Sequence, residues 1–215
     1  MLTIGAGGLA PARVLCLGAH SDDIEIGTGG TLLKLLALGP ATAVDWVVLS
    51  ADGERASEAR ASAERFLGPD RPTRIRVESF RERYLPYDPA VKEYFDNLAM
   101  DTTPDLVLCP WQGDAHQDHR LVAELAANTF RDQLILEYEI PKYDGDLGRP
   151  AIYVQLTSAQ ADAKVAAIRE GFPSQAERPW FSDETFRSLM RLRGIESRSP
   201  DGYAEAFHCR KLVLT

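Results

Sequence analysis

The join between an apolar run and a glycine-rich helix start constrains this chain more than any other stretch. Val14-Leu15-Cys16-Leu17-Gly18 is continuously apolar. It leads into His20-Ser21-Asp22-Asp23, and Gly27-Thr28-Gly29-Gly30 then opens an apolar segment through Leu35-Leu36. A short apolar run without alternation reads as a strand buried on both faces. A strand that turns at once into a helix places His20, Asp22 and Asp23 at its carboxyl end, where open α/β sheets hold their ligands. One histidine and two carboxylates within four positions are costly to desolvate unless something positive joins them, and a divalent metal is the simplest candidate.

The same pattern returns about a hundred residues later. Asp105-Leu106-Val107-Leu108-Cys109-Pro110 reads as a second buried strand. Trp111-Gln112-Gly113-Asp114-Ala115 follows as a loop, and His116-Gln117-Asp118-His119 opens a helix. Three of the four histidines lie in these two stretches. His116 and His119 are three apart, on one face of a helical turn.

Between and beyond them, strand and helix signals alternate. Strands are expected at 13–18, 43–49, 74–77, 105–110 and 134–139, and helices at 27–38 (closed by Gly39-Pro40), 54–67, 89–100 and 116–130. Such alternation implies parallel pairing through right-handed crossovers. The fold class is therefore α/β and Rossmann-like: a mostly parallel sheet flanked by helices in three layers. The remainder is less regular. A polar loop spans 141–150, a strand is expected at 151–156, a helix capped by Ser158 runs to 170, another capped by Asp183 runs to 193, and a last strand is expected at 207–214. No repeat or linker divides the chain, so 215 residues are read as one domain over 1–215.

A net charge of −8 argues against nucleic acid or anionic membrane surfaces as partners. No apolar run approaches the roughly 20 residues of a membrane span, and residues 1–10 lack the pattern of a signal peptide. Cys16, Cys109 and Cys209 form an odd, unpaired set that suits a reducing cytoplasm.

The two motifs together resemble those of the LmbE-like or PIG-L-type zinc-dependent N-deacetylases. That family's first motif is usually A-H-P-D-D followed by an acidic residue and glycine, here Ala19-His20-Ser21-Asp22-Asp23 with Ile24-Glu25-Ile26-Gly27. Its second is H-x-D-H, here His116-Gln117-Asp118-His119. Weaker similarity continues at Arg55-x-x-Glu58-Ala59 and Tyr203-Ala204-Glu205-Ala206-Phe207. The resemblance implies Zn2+ held by His20, Asp23 and His119. It also implies Asp22 as general base, His116 as its protonated partner, Asp118 as the residue orienting His116, and Arg55 near the substrate. Ser21 departs from the usual proline, and Asp114 stands where some relatives carry a tyrosine.

The implied activity is hydrolytic removal of an acyl group, in the first place acetyl, from the nitrogen of an amino sugar or N-acetylglucosamine-type glycoconjugate. Zinc suits such chemistry because it polarises the carbonyl and lowers the pKa of water to roughly 7. An amidase on a thiol conjugate or antibiotic precursor is an alternative within the same reaction class. A non-catalytic nucleotide- or sugar-binding module is an alternative outside it. Gly27-Thr28-Gly29-Gly30 lacks the G-x-G-x-x-G order of a dinucleotide site, and carboxylates precede it. Bound zinc favours the hydrolases, and NAD binding without metal favours the module. Related proteins often form homo-oligomers, so the resemblance leaves a homo-oligomer open, and the sequence does not reveal the oligomeric state.

Each sharp reading has a plain rival. A lone histidine is more often a core residue, one of the aspartates could simply cap the helix, and Arg55 could be a surface ion-pair partner. Asp114 reads as a turn residue. Trp111 either packs its loop or stacks on a sugar ring, and His208 falls in an expected strand.

Overall fold

β1 (Arg13–His20) and β2 (Ala43–Ser50) are buried along almost their whole length. Their side chains alternate between two apolar clusters. Val14, Cys16, Val44, Trp46 and Val48 belong to one, while Leu15, Leu17, Val47 and Leu49 belong to the other. Both faces of the sheet are thus covered, which is why these strands read as continuous apolar runs.

The computed structural model describes residues 11–39 and 41–213. Residues 1–10, read for a signal peptide, and Pro40 of the expected helix stop lie outside the described residues. The remaining strands are β3 (Thr73–Val77), β4 (Leu106–Pro110), β5 (Leu134–Tyr138), β6 (Ile152–Leu156) and β7 (Tyr203–Cys209), in one seven-stranded sheet of order β3-β2-β1-β4-β5-β7-β6. The helices are α1 (Asp23–Leu38), α2 (Gly53–Leu67), α3 (Pro89–Asp101), α4 (Gln117–Thr129), α5 (Ser158–Gly171) and α6 (Asp183–Glu196). Residues from α1, α2, α5 and α6 line the first cluster, and those of α3 and α4 the second. The result is the expected three-layer α/β fold.

Strands β3 through β5 are all parallel. The strand order reverses at β1, whose neighbours are β2 and β4. This switch point is where the carboxyl ends of β1 and β4 leave a crevice.

The alternation rule fails only at the far edge. β7 runs antiparallel to both β5 and β6. It also starts at Tyr203, four residues before the expected 207, and ends at Cys209. Two helix caps lie one residue earlier than expected, and one helix start moves. Thr157 forms a capping box with Gln160, and Ser182 accepts the Thr185 N–H, so the caps are Thr157 and Ser182 where Ser158 and Asp183 were expected. α1 begins at Asp23, four residues earlier than expected.

The glycine run of α1 is a packing device. A Cβ on Gly27 would stand 2.0 Å from the ring of Tyr138, and one on Gly30 would stand 2.5 Å from Leu156. Tyr138 is fully buried and donates to the Leu17 carbonyl at 2.6 Å, so its ring cannot retreat freely. A buried ion pair then enters the helix flank. Glu205 of β7 accepts the N–H groups of Gly30 and Thr31 at 2.8 and 2.6 Å, and Lys164 of α5 donates to the Ile26 carbonyl at 2.6 Å. Lys164 and Glu205 also pair at 2.6 Å. The antiparallel strand thereby locks α1, and with it the start of the helix at Asp23.

Alanine in place of glycine normally stabilises a helix interior by up to about 1 kcal/mol. Gly27→Ala is expected to do the opposite. Overpacking against Tyr138 should lower stability by about 1–3 kcal/mol, read as a lower urea midpoint at unchanged slope. A stabilised variant would show that α1 does not need this close approach.

Candidate active site

At the end of β1 the backbone N–H of His20 donates to Asp23 Oδ2 at 2.8 Å, folding the first turn of α1 back over the strand end. Asp22 takes the helix N-cap position, but its side chain makes no capping bond. The capping rival therefore does not account for its carboxylate. Asp22 Oδ2 is buried without a hydrogen-bond partner, while Oδ1 lies 3.4 Å from Arg55 Nη2.

At the end of β4, Asp114 Oδ1 accepts the His116 N–H at 2.7 Å. His116 becomes the N-cap of α4, its Nδ1 accepting the Asp118 N–H at 3.2 Å. One turn on, His119 points back at β1.

The two halves meet closely. His20 Nδ1 lies 3.1 Å from His119 Nε2, and Asp23 Oδ2 lies 3.5 Å from His20 Nδ1 and 3.4 Å from His119 Nε2. Donors on a tetrahedral zinc at about 2.0–2.1 Å are separated by about 3.3–3.4 Å. This triangle therefore fits such an ion at one shared corner. His20, His116 and His119 also offer nitrogens within 4.8 Å of one another, a looser group in which His116 already spends Nδ1 on its cap.

The charges support the same fit. Asp22, Asp23, Asp114 and Asp118 are buried together, with Arg55 and Lys142 as the permanent cations beside them. Burial alone would lower the His20 pKa, but Asp23 and Asp118 more than reverse this and raise it to about 10. Burial likewise opposes charge on His119, and Asp23 with Asp114 raises it to about 8. Burial disfavours the Asp23 carboxylate, yet the His119 and His20 rings hold its pKa well below the usual range. Asp22 is raised by burial and by Asp23. The site thus draws positive charge to the two rings, and a divalent cation meets the same demand.

Each proposed ligand histidine has a carboxylate on its other nitrogen. Asp118 Oδ2 lies 3.3 Å from His20 Nε2, and Asp114 Oδ2 lies 3.0 Å from His119 Nδ1. The second is a close charge contact rather than an aligned hydrogen bond. Carboxylates in this position orient ligand rings and raise their basicity.

Two expectations change here. The Asp118 carboxylate, expected on His116, meets His20, while the backbone N–H of Asp118 donates to His116 Nδ1. His116 is not placed as an imidazolium. Burial, then the neighbouring His20 and His119, lower its pKa, and an Nδ1 that accepts a hydrogen bond leaves the proton on Nε2.

Arg55 lies beside the site and donates through Nε to Ser21 Oγ at 3.0 Å. The hydroxyl that replaces the family's proline thus gains a partner. Asp114 is no mere turn residue, since it joins His116, His119 and Lys142; its spacing in Asp114-x-His116-x-Asp118-His119 was the available signal. No motif pointed to Arg83, whose N–H donates to Asp118 Oδ2 at 2.6 Å from a left-handed backbone with φ of 67°. Trp111 stacks on His208 at 4.2 Å, so one face of its ring is taken.

Comparison with known proteins places the chain in a family. The PIG-L family model, described as GlcNAc-PI de-N-acetylase, matches residues 15–130. A diacetylchitobiose deacetylase from Thermococcus kodakarensis is 33% identical over 128 residues, covering 50% of this chain and 45% of that protein, so the match takes in less than half of the relative. The solved N,N'-diacetylchitobiose deacetylase from Pyrococcus horikoshii superposes with a TM-score of 0.73 at 21% identity, over 97% of this chain and 87% of the other. A 4-carboxy-2-hydroxymuconate hydratase from Pseudomonas putida reaches 0.75 at 19% identity, over 94% and 98%. At such identities the solved structures establish the fold, and one fold carries both names. The family match covers more than half of the chain, including both halves of the site, and the chain belongs to the PIG-L (GlcNAc-PI de-N-acetylase) family.

Proposed function

We propose that the protein is a zinc-dependent hydrolase that removes an N-acyl group, in the first place acetyl, from an amino sugar or its glycoconjugate. The observation that carries this reading is the triangle of His20, Asp23 and His119 with the unpaired Asp22 oxygen beside it. Family membership and the resemblance to a diacetylchitobiose deacetylase support the substrate class.

Zinc held by His20, Asp23 and His119 would supply Lewis acidity toward the acyl carbonyl and make water more acidic. The protein does the rest. Asp22, adjacent to ligand Asp23 but bound to no cap, takes the proton of the attacking water as its oxygen bonds to the acyl carbon. The same carboxyl then returns that proton to the amine nitrogen as the C–N bond breaks. His116 donates through Nε2–H where negative charge develops on the carbonyl oxygen. Asp118 and Asp114 hold the rings of His20 and His119. Arg55 keeps Asp22 and Ser21 in place and stands close enough to meet a substrate group. Among the described residues no helix is long and apolar enough to cross a membrane. A small acylated sugar is proposed as the ligand on the strength of the family match.

The reading is tested by acetate release from N,N'-diacetylchitobiose and N-acetylglucosamine conjugates by zinc-loaded protein. Turnover is expected for at least one of them. Release of no acyl group from any N-acylated sugar, with zinc bound, would refute the substrate class.

Two outcomes test the roles. A divalent metal that binds only the folded protein should raise its stability by about 2.7 kcal/mol at a concentration one hundred times its Kd. That increment should vanish in His20→Ala, Asp23→Ala and His119→Ala, as seen by thermal unfolding with and without zinc. Asp22→Asn should keep the metal-dependent increment but lose roughly 10²–10⁴-fold in kcat, because an amide cannot accept the proton. Loss of zinc by that variant would make Asp22 a ligand instead.

A further inference from the structure

The segment between β5 and β6 has no part in the chemistry above, yet it is tied to the site through one ammonium. Lys142 Nζ donates to Asp114 Oδ2 at 2.8 Å and to the Ile140 carbonyl at 3.2 Å, and it lies 2.6 Å from Asp146 Oδ2. An ammonium carries three N–H donors. All three face partners within the protein, so none is left for a substrate. Asp146 Oδ2 also accepts the Ala115 N–H at 2.6 Å, which binds the same loop to the strand end that carries the second histidine motif.

The far end of the segment is held as firmly. The Gly148 N–H donates to Glu139 Oε1 at 3.1 Å, and its carbonyl accepts from Arg193 at 3.2 Å. A Cβ on Gly148 would meet His208 and Trp111 at 2.7 Å each. The lysine is therefore presented to Asp114 by a backbone fixed on both sides.

Asp114 is 2% exposed, and its Oδ2 serves Lys142 and His119 at once. A buried carboxylate that loses its cation either turns toward water or draws its remaining neighbour out of line. That neighbour is the ring whose Nε2 faces His20 and Asp23. From this geometry we infer that Lys142 is a positioning residue for the metal site: it bridges Asp114 and Asp146 so that Asp114 holds the His119 ring in the orientation the ion needs. The inference rests on the metal-site reading above and assigns a role to the loop before β6.

The test compares wild type, Lys142→Met and Lys142→Arg. Zinc affinity is measured by competition with a chelator, alongside the visible spectrum of the cobalt(II)-substituted protein and the unfolding temperature of the metal-free protein. Lys142→Met is expected to bind zinc 10- to 100-fold more weakly and to show an altered cobalt spectrum. Lys142→Arg, whose guanidinium can also bridge two carboxylates, should restore both toward wild type. Wild-type zinc affinity and an unchanged cobalt spectrum in Lys142→Met, with only a lower metal-free unfolding temperature, would make Lys142 a strut for its loop and overturn the inference. If Lys142→Met does not fold, Lys142→Gln serves the same comparison: weaker zinc binding supports the inference and wild-type affinity overturns it. A wild-type protein that binds no zinc overturns the metal site and the inference together, which separates that failure from the other.

Discussion

Parallel pairing of β1 with β4 brings together residues roughly a hundred positions apart. Val14 faces Leu106, Leu15 faces Val107 and Cys16 faces Leu108. That register carries the two strand ends forward side by side, so His20 and His119 end with ring nitrogens 3.1 Å apart. The helices that follow these strands pack on opposite faces of the sheet. The crevice between them is therefore a consequence of the crossover directions, and the same reversal that splits the helices gathers the histidines.

What fills the crevice is negative charge that the fold has removed from water. Asp22, Asp23, Asp114 and Asp118 are each no more than 5% exposed. Buried carboxylates survive only with counter-charge and hydrogen bonds. The structure divides that task. Arg55 and Lys142 attend Asp22 and Asp114 at the edges, Arg83 gives its N–H to Asp118, and the rings of His20 and His119 stand at the centre. The same crowding that would be a liability for stability suits a small, doubly charged ion. His116, by contrast, is driven toward its neutral form by burial and by the neighbouring His20 and His119 rings, against the pull of Asp118 and Asp23.

The far edge of the sheet supports the site from a distance. β7 reverses direction and brings Glu205 against the N–H groups of Gly30 and Thr31, with Lys164 on the Ile26 carbonyl. α1 is thereby pinned one to two turns beyond Asp23. The glycines of that helix, which superficially suggest a phosphate loop, instead let Tyr138 and Leu156 approach the backbone. In this fold the helix start carries carboxylates rather than accepting an anion.

The sequence by itself determined the class of fold, the boundaries of most strands and helices to within a few residues, and the two stretches that form the site. It could do so because those features are local: an apolar run buried on both faces, a helical period, and histidines and aspartates at fixed spacing at strand ends. Tertiary structure alone decided the direction of β7, since an αβ alternation is equally readable whichever way its last strand is laid down. It alone decided that the Asp118 carboxylate serves His20 and not His116, and that Asp114 with Lys142 stands behind His119. Those partnerships join side chains from different loops, and a contact across 28 or 98 positions of chain leaves no period, cap or spacing in the sequence from which it could be read.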